Sequence, residues 1–125
     1  METSGEMRRF ERLSVGPEYR VTMEFQGREL KDLVLQNISA GGCGVKVPRP
    51  EAAGMDSGLH IPLVYLIHPA LPYVPFEATI VRLLGRATGS RDGYVLVGLE
   101  FVYVTPTVGR LIMRHVIAQM NPVSA

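Results

Sequence analysis

The chain has 125 residues, 46% of them hydrophobic, with 13 basic side chains against 12 acidic ones. That length fits one domain with one modest core, and a net charge of +1 argues against a protein that holds nucleic acid mainly by bulk phosphate neutralisation. The basic residues are skewed, 11 Arg to 2 Lys; Arg suits a site that grips a phosphate or a base edge, although a GC-rich genome also enriches Arg.

The N-terminus, METSGEMRRFER, lacks an apolar stretch and so does not read as a secretory signal. Residues 1–7 are expected to be a flexible N-terminus, ahead of a single domain over 8–120 and a short tail over 121–125. From Tyr19 the pattern alternates strictly, with Tyr19, Val21, Met23 and Phe25 on one face and Arg20, Thr22, Glu24 and Gln26 on the other. A period of two predicts a half-buried strand with the first four in the core. Gly27 marks a turn. Leu33, Val34, Leu35 and Ile38 predict a second strand that runs into the turn Ser39-Ala40-Gly41-Gly42, and Val45 and Val47 a short third one before Pro48.

Residues 48–58 read as a loop by their Pro and Gly content. The stretch 59–67 is rich in β-formers, but Pro62 makes it an edge or bulged strand. After the Pro-rich connection 68–75, residues 76–84 and 94–104 predict a hairpin. The longest apolar run, Ile61 to Ile67, is far too short to cross a bilayer. Only the end changes period: Thr105 caps, Pro106 opens a helix over 106–119, and Val108, Leu111, Ile112 and Val116 recur on one face. The fold class is mainly β: a small antiparallel six-stranded barrel with a C-terminal helix, cytoplasmic, without membrane insertion.

Catalysis has no evident seat. His60, His68 and His115 lie in a strand, a loop and a helix without a carboxylate beside them in sequence. Cys43 is alone, so it forms no internal disulfide, and no Cys/His grouping has metal-ligand spacing. The acid, base and nucleophile sets of an enzyme are missing, and no cofactor is called for.

Two elements remain. Arg8-Arg9-Phe10-Glu11-Arg12 contains Arg-x-x-x-Arg just ahead of the first predicted strand. The spacing alone says little, because Arg82…Arg86 and Arg110…Arg114 repeat it, and those read as solvated side chains. Asn37-Ile38-Ser39-Ala40-Gly41-Gly42 has the form Asn-x-Ser-x-x-Gly, which is also a plain turn in which Asn and Ser bond the backbone. In this order and spacing, the two elements, together with the final strand and helix of VGLEFVYVTPTVGRLIMRHV, resemble the PilZ domain, a small bacterial β-barrel that binds cyclic di-GMP. The resemblance covers about residues 8–118.

It implies a non-enzymatic receptor for that second messenger, with Arg8 and Arg12 as the motif arginines and Arg9 as an accessory contact. Asn37, Ser39, Gly41 and Gly42 form the turn half of the site. Guanidinium groups grip phosphate oxygens or guanine O6 and N7, and glycines let the ligand approach the backbone. Asn stands where the family more often has Asp, so residue 37 accepts from guanine without charge assistance. Met7 precedes Arg8, so no further cation is there to hold a second ligand molecule, and one ligand per chain is expected. A downstream protein, part of motility, exopolysaccharide or similar machinery, would receive the signal. Two other readings stay open: an interaction adaptor of the same fold that binds no nucleotide, and an oligonucleotide-binding barrel. The latter is disfavoured by the absence of Trp, the net charge of +1 and the core placement of Tyr19 and Phe25.

Overall fold

The structure is a computed structural model that describes residues 13–85 and 93–120. The described residues form seven strands: β1 (Leu13–Ser14), β2 (Arg20–Phe25), β3 (Arg28–Ser39), β4 (Gly42–Pro48), β5 (His60–Ile67), β6 (Phe76–Leu84) and β7 (Tyr94–Phe101). One helix, α1 (Pro106–Met120), follows them. All strand pairs are antiparallel, in the order β1-β3-β2-β5-β6-β7-β4, and β4 returns to pair with β3. Strands β2 to β7 therefore close a six-stranded barrel, and β1 is an extra strand laid along the far half of β3. No helix among the described residues is long and apolar enough to cross a membrane.

The core follows the alternation. Val21, Met23 and Phe25 point inward from β2, Cys43, Val45 and Val47 from β4, and Val95, Val97, Leu99 and Phe101 from β7. Tyr19, just ahead of β2, is also buried. Where alternation breaks, a bulge accounts for it. Buried Leu30 and Leu33 are three apart because β3 carries an extra residue opposite Thr22, and Asp32 there takes a positive φ of 56°. That bulge hid residues 28–32 from the period-two reading, which began the second strand at Leu33. The turn into β3 is the two-residue Gln26-Gly27 loop with both φ positive, the geometry that joins tightly twisted strands. A short 3-10 turn, Arg49–Ala52, occupies part of the predicted loop.

Pro62 was expected to make its strand an edge or a bulged one. The strand is bulged, with the register against β6 shifting between Ile61 and Val64, and it is not an edge, because β2 and β6 flank it. Pairing with β2 ends at Leu63, so the missing proline N–H falls where no β2 acceptor is needed.

Helix α1 starts as its sequence dictates, with the Thr105 hydroxyl accepting from the Val108 N–H at 3.3 Å and Pro106 in the first turn. Ile112 and Val116 are fully buried and Val108 half-buried, whereas Leu111, placed on the same face by its spacing, is 43% exposed. Each fully buried aliphatic side chain stabilises the docked helix by about 2 kcal/mol. The helix packs on β1 and β3.

A polar contact completes the docking. The Tyr19 hydroxyl and His115 Nε2 are 2.7 Å apart, and the Tyr19 ring stacks on His68 with centroids 3.9 Å apart and planes 8° apart. His68 Nδ1 accepts from the Ala70 N–H, and the His68 and His115 rings lie 5.6 Å apart. Burial, aided by neighbouring His68, holds the His115 pKa below its ordinary value of 6.5. The folded state therefore binds fewer protons than the unfolded chain just below pH 6.5, and this contribution to stability falls as the solution is acidified through that range. The melting temperature should drop between about pH 7.5 and about pH 5.5, the imidazole range, and the drop should shrink in His115→Gln. An equal drop in that variant would assign the pH dependence to another group.

Candidate functional site

The turn between β3 and β4 sits at one mouth of a groove of about 780 Å³ on the outside of the barrel, within the size range of small-molecule sites. Asn37, Ser39, Gly41 and Gly42 all line it. Four of the seven residues expected to form a site are thus gathered in one place. The other three, Arg8, Arg9 and Arg12, lie outside the described residues. The first described residue, Leu13, is registered on Ile38, and Ser14 on Asn37, so the chain enters the barrel alongside the turn.

Backbone pairing explains the shape of the groove. Asn37 faces Gly44 on β4, Gly44 faces Gly98 on β7, and Gly98 faces Arg82 on β6. One step along, Ser39 faces Gly42, which faces Glu100, which faces Thr79. Paired residues share a face of the sheet. The outer face here has a floor of three glycines, walled by Asn37 and Ser39 on one side and by Arg82 and Glu100 toward the other.

The glycines are required for different reasons. A Cβ on Gly42 would overlap the Leu99 carbonyl oxygen, which is backbone and has nowhere to go. A Cβ on Gly44 would lie 2.9 Å from Asn37 Nδ2, and one on Gly98 3.3 Å from the Arg82 Cβ. Residue 42 permits the strands to meet, whereas residues 44 and 98 leave space for the flanking side chains.

Ser39 is 2% exposed, and its hydroxyl is engaged locally: it donates to the Gly42 carbonyl at 3.3 Å and accepts from the Gly41 N–H at 3.2 Å. The hydroxyl keeps one lone pair for anything in the groove. The Phe101 N–H donates to the Gly41 carbonyl at 2.9 Å, tying the turn to β7. Asn37 is half-buried beside Gly44.

Sequence reasoning set Arg82 aside as one of several arginines at four-residue spacing. It is exposed, as expected of a solvated side chain, yet it lines the same groove as Asn37. The signal was the extra residue in β6: Ile80 faces Leu99 and Arg82 faces Gly98, leaving Val81 between them. Glu100 was not singled out, because in sequence it is merely the outward residue of an alternating strand. The histidines do have partners, but across strands: His60 Nε2 is 2.6 Å from Glu77 Oε2 at the exposed surface. Cys43 is buried in the barrel wall. Among the described residues no three His, Cys, Asp or Glu are grouped to hold a metal ion.

The family model of the PilZ domain matches residues 6–118. Among solved structures, the chain is similar to the PilZ domain of YcgR from Escherichia coli, a structure with c-di-GMP, with TM-score 0.72 and 20% identity over 94% of this chain and 96% of that one. The K. pneumonia MrkH–c-di-GMP complex superposes with TM-score 0.76 at 13% identity, covering 94% of this chain and 54% of that one. The Bacillus subtilis inhibitor of motility MotI gives 0.74 at 17% identity, covering 92% and 52%. The chain thus spans about half the length of MrkH and MotI. No curated protein matches it in sequence.

The glycine floor makes a graded stability test. Gly42→Ala should destabilise the barrel by about 1–3 kcal/mol or more, the range for overpacking against atoms that cannot retreat. Gly98→Ala, which meets only the stem of an exposed side chain, should cost less. Urea denaturation of the two variants measures this, and the reverse order would contradict the assigned packing.

Proposed function

Because the chain belongs to the PilZ domain family, we propose that the groove binds cyclic di-GMP and that the protein acts as a receptor that turns over no substrate. The observation that carries this reading is the register of β1: it brings the chain, one residue after Arg12, to the level of Ile38, between the two polar residues of the turn. Arg8 and Arg12 are the groups proposed to close over a ligand resting on the glycine floor, with Arg9 as an accessory contact. Asn37 offers its amide to a guanine edge. Ser39 and Gly41 hold the turn in shape, and Gly42 keeps β4 close to β7, so these three act on the ligand mainly through the surface they present.

Ligand closure would alter the face beside β1, β3 and α1, and a partner protein would read that change. The family includes proteins linked to motility, MotI being an inhibitor of motility, and a motility or exopolysaccharide component is the class of partner proposed here. A second reading, an adaptor without nucleotide, draws on exposed Val102 and Tyr103 at the groove rim, 54% and 70% exposed.

Calorimetric titration with cyclic di-GMP separates the two, because the adaptor gives no heat of binding. Arg8→Ala and Arg12→Ala should each weaken binding by about 1–3 kcal/mol, the range for a lost bidentate contact. Arg110→Ala, at the same spacing from Arg114 but on the helix, should leave it unchanged. Full affinity in both single variants would remove the arginines from the site.

The same titration should give one ligand per chain. Asn37→Asp should hold or improve affinity, since a charged acceptor binds guanine N–H donors more strongly. A large loss there would instead place residue 37 beside a phosphate.

A further inference from the structure

Arg82 reaches the groove by a departure from regular strand geometry. Phe76, Ala78 and Ile80 are all buried, so strict alternation would send residue 82 into the core. The extra residue Val81 reverses the phase, and both Val81 and Arg82 face outward. A matching irregularity in β3, between Leu35 and Asn37, does the same for Asn37. The two strands that wall the glycine floor are each bulged at the residue next to the side chain they present.

The wall on the β6–β7 side carries opposite charges. Glu100 stands two residues along β7 from Gly98, which faces Arg82. That is about 7 Å of strand. Among the described residues no ion pair joins Arg82 to Glu100. An arginine donates only and a carboxylate accepts only. A ligand in this groove is therefore met by an anion-seeking group at one point and a donor-seeking group at another.

We propose that Arg82 and Glu100 orient a guanine nucleotide across the floor, Arg82 holding a phosphate and Glu100 accepting from the guanine N1–H and N2–H₂. The inference rests on the cyclic di-GMP reading and adds to Asn37 a second group that reads a guanine. It places on β7 the carboxylate that residue 37 lacks. Adenine presents a bare acceptor at N1, which faces a carboxylate without a bond, so the pair selects guanine over adenine. It also sets polarity, because a phosphate at Glu100 is repelled.

The test titrates cyclic di-GMP and cyclic di-AMP into the full chain and into Arg82→Ala and Glu100→Gln, with thermal melts to verify folding. Both side chains are exposed, so the melts should match. Arg82→Ala should weaken cyclic di-GMP binding about tenfold or more, as expected for a lost bidentate contact, and Arg82→Lys should recover part of it. Glu100→Gln should narrow the preference for cyclic di-GMP over cyclic di-AMP. Wild-type affinity and preference in both variants overturn the inference while leaving the proposed function standing. An affinity loss at residue 82 with unchanged base preference at residue 100 overturns the orientation. Absence of binding to the wild-type chain overturns both together.

Discussion

Closing a barrel of six strands requires β4 to lie against both β3 and β7, and at Gly42 the approach leaves no volume for a side chain. Sheet hydrogen bonding sets the strand spacing. What varies is how far the strands can coil before side chains collide, and glycine removes that limit at this corner. The cost of glycine in a strand is conformational entropy and lost packing. Here it is offset by the continuous inward face of β4 and β7, where Val45, Val47, Val95 and Val97 fill the interior. The groove is the outer side of the same arrangement: a strand crossing without side chains is a depression by construction.

The strand bulges are the second determinant. A perfectly regular strand assigns each residue to core or solvent by parity alone. Bulges in β3, β5 and β6 shift that parity midway, which lets long strands bend around a small interior and still present chosen side chains outward. Leu30, Leu33, Leu35 and Ile38 are all buried on β3 at spacings of three, two and three, and the two threes are the two bulges. The polar residues next to the second one become a wall of the groove.

This also explains which parts were legible in the sequence. The regular stretches, β2, β4, β7 and the capped helix, could be read directly, because alternation and helical spacing there are unbroken. The order of the motifs along the chain carries the family resemblance without any knowledge of strand pairing. The start of β3 escaped because Lys31 and Asp32 break the period. β1 escaped because its described residues, Leu13 and Ser14, are too few to show one. Arg82 and Glu100 could be placed in the groove only once strand pairing was known, since register across four strands is a long-range property that no local pattern encodes. The Tyr19–His115 contact, 96 residues apart, is invisible for the same reason: each residue looks like an ordinary member of its own element.

The closed ring has a further consequence for how copies of this molecule can associate. Open sheets expose a row of unpaired backbone groups, on which another chain can add a strand. In this barrel β2 to β7 each have a neighbour on both sides. Among the described residues the remaining edge belongs to β1, Leu13–Ser14, beside which the helix packs. The ring itself therefore offers no template for strand addition, so copies that meet on β2 to β7 do so through side-chain surfaces, which can be remodelled one residue at a time without endangering the sheet.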